Sequence, residues 1–354
     1  MLNIVADGED PAADRAALRR GKTFSDLWDY WYERHAKRKL GSAEQERIRY
    51  TQHIGPQVGK LPIADLRRQD VAKMRDYVFD HSGPVQSNRC LALVNRILNF
   101  ALEEDLIEAN PAARMRKAGK EKPRERVLSD YEIARLWQAL GEAEMWTATV
   151  GTGVMGRPVS LSIVRAIRLL LLTGQRRAEV IKAPIAEFAL GGKQPVWTIA
   201  SERVKNDLPH RVPLAPMAAY EVRRAIAEAG GMASGNSSAV RVVFPSPADW
   251  RSPIGPAAVT KAMHRLCQRL RIERAGPHDL RRTVGTGLAK FGVPPDVRSL
   301  VLNHTRGRSA SETTRVYDRH GYDNEKLDAL EKWEAHVHSI VKGVSWENVT
   351  PYRS

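Results

Sequence analysis

Apolar residues recur along this chain mainly at helical spacing. Phe24, Leu27, Trp28 and Trp31 fall at i, i+3, i+4 and i+7 and predict an amphipathic helix that opens at Thr23. Gly55, Pro56, Gly59 and Pro62 punctuate the next stretch. Ile63 and Leu66 then read as a short turn, and Val71, Met74 and Val78 as the face of a second helix. Another helix starts at Ser87-Asn88, with Leu91, Val94, Ile97, Leu98 and Ala101 as its buried stripe. It stops before Asn110-Pro111, because an internal proline removes an amide donor and clashes with the preceding turn. Residues 1–22 read as a polar, flexible lead-in and residues 23–116 as an all-helical block.

Residues 117–126, KAGKEKPRER, have one apolar residue and read as an exposed basic linker. A second block covers residues 127–320. Ser129 and Glu132 spell a capping box before a face of Ile133, Leu136, Trp137 and Leu140. Ile163, Val164, Ile167, Leu170 and Leu171 mark a deeply buried helix that Gly174 ends. The period then changes. Residues 195–199 and 203–214 lack helical spacing, carry turn residues at Asn206, Asp207 and Pro209, and read as a strand and a hairpin. Helical patterns resume near residues 216–229, 257–270, 278–290 and 296–302, and around Tyr317. In the tail, residues 321–354, Leu327, Leu330, Trp333, Val337 and Ile340 share a stripe. That stripe fits a terminal helix packed on its own domain. The fold class expected is mainly α: a helical domain followed by a mostly helical domain with a small antiparallel β-sheet.

Charge narrows the function. The 354 residues carry 56 Lys and Arg against 41 Asp and Glu, a net charge of +15. A balance this basic points to a polyanionic partner, and nucleic acid is the default. No apolar run approaches the ~20 residues of a membrane span. The first 22 residues hold Asp7, Glu9, Asp10 and Asp14 and no apolar core, so a soluble, cytoplasmic protein without a secretory signal is expected. Cys90 and Cys267 lie far apart, and there is no CxxC or HExxH pair, so neither a metal site nor a disulfide framework is expected. Gly151, Gly153 and Gly156 spell GxGxxG, but Pro158 follows and no alternating β-α pattern surrounds them. This stretch reads as a surface loop, not a dinucleotide site.

The candidate chemistry is distributed. In Thr173–Glu179, TGQRRAE, Gly174 permits a turn and Arg176 and Glu179 fall at i, i+3, so the acid can orient the guanidinium. Lys205 sits at the expected hairpin tip, with Lys193 and His210 as other basic groups in the region. HDLRRT puts His278 and Arg281 on one helical face, His304 ends a short apolar helix, and Tyr317 lies in TTRVYDRH. Taken singly, each has an ordinary structural reading as a surface arginine, a helix-end histidine or a core tyrosine. Together they are the parts for attacking a phosphodiester without a metal. Arginines can bind nonbridging oxygens bidentately, a lysine can protonate the leaving oxygen, and a tyrosine can form a covalent intermediate. The sequence shows no carboxylate cluster of the kind a two-metal mechanism uses.

In that order the residues resemble the tyrosine recombinase (phage integrase) family, whose pattern is TGxRxxE, a hairpin lysine, HxLRR, LGH and then the tyrosine. The resemblance covers about Thr23 to Trp333, since SNRCLALVNRILNFALEEDLIEANP looks like the family's core-binding domain. LNH stands where the family has LGH, and residues 306–312 lengthen the stretch before Tyr317. Little room precedes Thr23 for an arm-binding domain, so that layout is not expected. The resemblance implies a core-binding domain over residues 23–116 and a catalytic domain over residues 127–320. Tyr317 would be the nucleophile, Arg176 and Arg281 would stabilise the transition state, and Lys205 would be the general acid. His278 would assist proton transfer, His304 would hydrogen-bond the phosphate, and Glu179 would orient the site. It implies no cofactor, neither metal nor ATP. The implied partners are double-stranded DNA with specific recombination sites and a homo-tetramer formed on it, with accessory DNA-binding factors left open and no membrane. The enzyme would associate with the nucleoid when bound, and the resemblance implies, equally with packing on its own domain, a tail helix docked on a neighbouring subunit. The implied activity is DNA integration, excision or transposition through a 3′-phosphotyrosyl intermediate and a Holliday junction. The alternatives are relaxation of DNA in the manner of a type IB topoisomerase, and DNA binding without catalysis.

Overall fold

A computed structural model describes residues 22–40, 42–121, 125–150, 159–204, 208–232, 241–304 and 322–343. The expected loop at Gly151–Gly156, the lysine Lys205 and the tyrosine Tyr317 lie outside the described residues. The chain divides into two compact units, Met1–Pro123 and Arg124–Ser354.

In the first unit, α1 (Phe24–Trp31) opens as its pattern predicts. The Thr23 amide donates to Asp26 Oδ2 (2.8 Å) and the Asp26 amide to Thr23 Oγ1 (3.4 Å), a reciprocal cap. Phe24, Leu27, Trp28 and Trp31 are buried, and Trp28 stacks on Tyr50 at 4.1 Å between centroids. After α2 (Ala43–Arg49), α3 (Arg68–Glu103) carries both expected stripes, joined across a kink. The kink is Gly83, at φ 78°, where an L side chain is strained. Pro84 follows it in the first turn of the second half, where its missing amide costs nothing. The basic stretch expected as an exposed linker is exposed at Lys117, Lys120, Glu121 and Glu125, and hydrogen-bonded between them. The Ala118 amide donates to Asn88 Oδ1 (3.1 Å), and Asn88 Nδ2 donates to the Gly119 carbonyl (3.0 Å). Arg126 is paired with Glu132 and its side chain is nearly buried.

The second unit is built around α5 (Leu161–Thr173), in which every residue from Ser162 to Thr173 is buried. It packs against α4 (Asp130–Val150), α7 (Pro216–Met232), α8 (Pro256–Leu270) and α9 (Pro277–Lys290). Arg165 and Arg168 lie inside this core because α7 supplies their counter-charges. Arg165 Nη1 meets Glu221 at 2.8 Å, Arg165 Nη2 meets Glu228 at 2.8 Å, and Arg168 Nη1 meets Glu221 at 3.0 Å. Breaking one partner of such a set leaves a buried charge and costs roughly 3–5 kcal/mol.

Between α5 and α7 come α6 (Arg177–Ile181) and a three-stranded antiparallel sheet. The strands are β1 (Phe188–Ala189), β2 (Val196–Ile199) and β3 (His210–Pro213), in sheet order β1-β2-β3. Ile199 pairs with His210 and Val196 with Pro213. This corrects the expected hairpin over 203–214, because its arms are β2 and β3 and Arg203 lies outside the ladder. Glu187 is the cause. Its carboxylate accepts from Trp197 Nε1 (2.9 Å), from the Ala200 amide (3.1 Å) and from Arg203, drawing the chain into a 3₁₀ turn at Ser201–Arg203. A second hairpin, β4 (Pro245–Ser246) with β5 (Asp249–Pro253), is too short to leave a periodic signal. Helix α10 (Pro295–Val301) precedes the last described helix, α11 (Asp323–Lys342).

Helix α11 packs on its own unit. Leu330, Trp333 and Val337 are buried, and Leu327 and Ile340 pack against the same core. Trp333 Nε1 donates to the Leu171 carbonyl (2.7 Å). A Cβ on Gly287 of α9 would overlap the Trp333 ring, so the two helices approach as only glycine allows. Glu334 accepts the first-turn amides of α7, from Met217 (2.8 Å) and Ala218 (2.7 Å). Near the start of α11, Asp323 meets Arg211 of β3 at 2.7 Å and Lys326 donates to the Arg211 carbonyl at 2.8 Å. Of the two placements open from sequence, the structure has the one in cis for Asp323–Lys342. Among the described residues, no helix is long and apolar enough to cross a membrane.

Candidate active site

The site forms where three helix ends meet: the end of α5, the start of α9 and the end of α10. Helix α5 stops at Gly174, whose φ of 66° is left-handed. A Cβ there would lie 2.9 Å from Leu302 and 3.0 Å from Val284, so glycine is required by space as well as by conformation. The turn brings Arg176 to the cap position of α6. Its amide donates to Glu179 Oε2 (2.9 Å) and its Nη1 to Glu179 Oε1 (2.8 Å), the face-sharing that the i, i+3 spacing predicts.

The end of α10 then supplies three carbonyls in succession. Val301 accepts Gln175 Nε2 (2.8 Å), Leu302 accepts Arg281 Nη2, and Asn303 accepts Arg176 Nη2 (2.7 Å). Arg281 also donates to the Gly174 carbonyl (2.8 Å). Each arginine is therefore oriented by backbone that cannot rotate away, and it retains donors for a ligand, since a guanidinium has five. Gln175, which sequence reasoning passed over, is fully buried and staples the α5 turn to the α10 end. Its place between Gly174 and Arg176 in TGQRRAE was the available signal.

Asn303 has φ 46°. The left-handed region favours glycine, and asparagine is among the L residues that tolerate it best. This explains why LNH can stand where the resemblance has LGH. The turn at Asn303 presents His304 beside the arginines. Burial and then the charges of Arg281 and Arg176 hold the His304 imidazole below its ordinary pKa. His278, in the first turn of α9, is held low by burial and then by Arg282 and Arg281. Both histidines are therefore neutral at pH 7 and able to accept a proton or a hydrogen bond. Arg281 is itself lowered to about 10 by burial and by Arg176, and stays charged. Arg176, His278 and Arg281 line one cavity of about 630 Å³. Arg176, Glu179, His278, Arg281 and His304 thus come together, whereas Lys205 and Tyr317 are not described.

The chain on either side of Lys205 is placed. On one side, Arg203 Nη2 donates to the Glu179 carbonyl (2.5 Å). On the other, His210 is buried close enough for Arg281 and Arg176 to affect it, and burial above all lowers its pKa to about 3. His210 cannot hold a proton at neutral pH and is therefore no substitute for the lysine as a general acid. Lys193 is exposed in the turn before β2. Among the described residues no three His, Cys, Asp or Glu side chains gather as a metal ion requires. Cys90 and Cys267 are free and buried.

A model of the phage integrase family matches residues 126–323, and one of the phage integrase central domain matches residues 24–118. The chain belongs to the phage integrase family. Its similarity to prophage integrase IntZ of Escherichia coli (strain K12) is 25% identity over 345 residues, 97% of this chain and 74% of IntZ. Prophage integrase IntA of the same strain is 26% identical over 288 residues, 79% of this chain. The match spans 61% of IntA's length, less than two thirds. The fold of this family member is also that of a lambda integrase tetramer solved bound to a Holliday junction. That match has TM-score 0.61 and 16% identity, and covers 85% of this chain and 83% of that one.

Proposed function

We propose that the chain is a site-specific DNA recombinase that cuts and rejoins duplex DNA by transesterification, in integration, excision or transposition. The observation that carries this reading is the convergence of two backbone-braced guanidiniums and the His278 imidazole on one cavity wall, with His304 close enough for both arginines to act on it. Arg176 and Arg281 take the nonbridging oxygens of the scissile phosphate and strengthen their hold as charge builds on the pentacoordinate phosphorus. The oxygen of Tyr317 attacks phosphorus while its proton passes to His278. The bond to the 5′ oxygen breaks as Lys205 delivers a proton to it, leaving a 3′-phosphotyrosyl link and a free 5′-hydroxyl. His304 hydrogen-bonds the phosphate, and Glu179 orients Arg176. The link conserves the energy of the phosphodiester, so the reverse attack by a 5′-hydroxyl from another duplex needs no ATP. The role of Lys205 is supported by the described residues on either side of it: Arg203 donates to the Glu179 carbonyl, and His210 lies close enough for both arginines to act on it.

The first unit, which matches the central-domain model, serves as a DNA-binding domain, and the net charge of +15 suits a duplex partner. Exchange through a Holliday junction in a homo-tetramer is supported by the lambda integrase tetramer solved on such a junction. The working location is the cytoplasm, on nucleoid DNA. The test is a nicked suicide duplex carrying the chain's own recombination site. Wild type should form a protein–DNA adduct that survives denaturation. Arg281→Lys, which keeps the charge and loses the fork, should reduce the adduct at least ~100-fold. Tight binding with no adduct from wild type would leave only a DNA-binding protein. Efficient relaxation of plasmid lacking the site would leave a topoisomerase.

A further inference from the structure

The cavity that holds Arg176, His278 and Arg281 is larger than a single phosphate needs. It continues past them to Arg177, Thr260, His264, Arg274 and Arg282. These residues come from the first turn of α6, from α8 with the loop after it, and from α9, which also carries His278 and Arg281. We propose that Arg177, Arg274 and Arg282, with Thr260 and His264, form a second anion subsite that grips the DNA backbone phosphate next to the one under attack. The inference rests on the recombinase reading above.

Charge is the first argument. Five arginines and one carboxylate, Asp279, line the cavity. Asp279 is buried and engaged, accepting the Gly276 amide (2.8 Å) and Arg282 Nη1 (2.9 Å). The scissile phosphate brings one negative charge, taken by the Arg176–Arg281 pair, so positive charge remains beyond it. Among the described residues Arg177 meets no carboxylate, and its hydrogen bond goes to the neutral hydroxyl of Thr260 (2.6 Å). Arg274 lies against His264, with Nε 3.0 Å from the imidazole Nε2. Guanidinium, hydroxyl and imidazole are groups that hold backbone phosphates.

Geometry is the second argument. Successive phosphates of one strand advance only ~3.4 Å along the helix axis. A strand seated on Arg176 and Arg281 therefore carries its next phosphate into whatever adjoins them, and in this cavity three guanidiniums adjoin them. Gripping that neighbour fixes the register of the strand, which is where an error of about 1 Å costs most rate. Arg282 also links the subsite to the chemistry. After burial it is the largest influence holding His278 low, and an anion beside it offsets that influence when DNA is seated.

The test uses the full chain and a duplex whose cleaved phosphate has been mapped through its adduct. Single methylphosphonates neutralise the phosphate on either side in turn. One of the two should slow wild-type cleavage roughly 10- to 100-fold. Arg177→Gln/Arg274→Gln should lose a similar factor on ordinary DNA and lose nothing more on that methylphosphonate. Arg135→Gln, which lies over the Tyr131 ring, should behave as wild type on both. If the double variant melts early, Arg177→Gln alone, which gives up one bond to Thr260, is compared on the same substrates. Losses that multiply, or a wild type indifferent to both methylphosphonates, overturn the subsite while leaving the recombinase reading intact. A wild type that cleaves no duplex at all removes that reading itself.

Discussion

At the scale of single residues, the site depends on side chains whose backbone conformation matters as much as their chemistry. Asn303 holds a left-handed φ and places its carbonyl on Arg176. Asn303→Gly should therefore stay within about 1 kcal/mol of wild type in urea unfolding and keep its cleavage rate. Asn303→Ala, with a Cβ and no local hydrogen bonding, should lose about 1–2 kcal/mol and activity with it. Equal stability of the two variants would show that the turn is not strained. The histidines give a pH prediction. His278 and His304 are both held below the ordinary imidazole value, by burial first and arginine charge second. If neutral His278 takes the tyrosine proton, its protonated form is the inactive one. kcat/KM should then stay level as pH falls through ~6.5 and decline only below it. Arg282→Gln removes a positive neighbour, so the decline should move up in pH. A wild-type decline centred above the ordinary value would take the base role from His278.

At the scale of elements, much was legible because helices announce themselves by period. The stripes of α1, α3 and α5, the Ser129–Glu132 cap and the Arg176–Glu179 pairing all involve residues within a few positions of one another. What was not legible joins distant segments. Val301, Leu302 and Asn303 present their carbonyls to residues at 175, 281 and 176, and no local pattern encodes that. Nor does spacing reveal that Arg203 leaves the ladder, because Glu187 draws it out from across the sheet. That contact leads to a prediction. Arg203 fastens the chain to the Glu179 carbonyl two residues before Lys205, so Arg203→Ala should slow the same step as Lys205→Ala. Both variants should bind DNA almost normally, and a bridging 5′ sulfur, which leaves without protonation, should restore cleavage to both. Rescue of Lys205→Ala alone would make Arg203 merely structural, and rescue of neither would move the acid role elsewhere. Helix α11 belongs to the core through Trp333, Glu334 and Val337. Ending the chain after His320 should therefore abolish the cooperative unfolding of the second unit; a truncated chain that folds and recombines would contradict the packing in cis.

At the scale of the whole molecule, the two units match two successive domains of one family, and the charge of +15 suits a single polyanionic partner. The fold class was readable from period, and the order of the site residues from their boxes. Bracing by the α10 carbonyls and the reach of the arginine cavity became visible only once the helices were packed. The proposed recombinase rests on covalent catalysis by Tyr317, thirteen positions past His304 in the sequence. Tyr322 is the nearest competitor, half-buried with φ 49° at the cap of α11 and followed by the Asp323–Arg211 bridge. That bridge ties the residue after Tyr322 to Arg211 of β3, whereas a nucleophile must come in line to within roughly 3–3.5 Å of the phosphorus. Phenylalanine removes only the oxygen, so packing and site binding should survive the exchange. The decisive measurement is adduct formation on a nicked suicide substrate by Tyr317→Phe and Tyr322→Phe side by side. Tyr317→Phe should form no adduct and Tyr322→Phe a normal one; an adduct from Tyr317→Phe would rule out Tyr317 as the nucleophile.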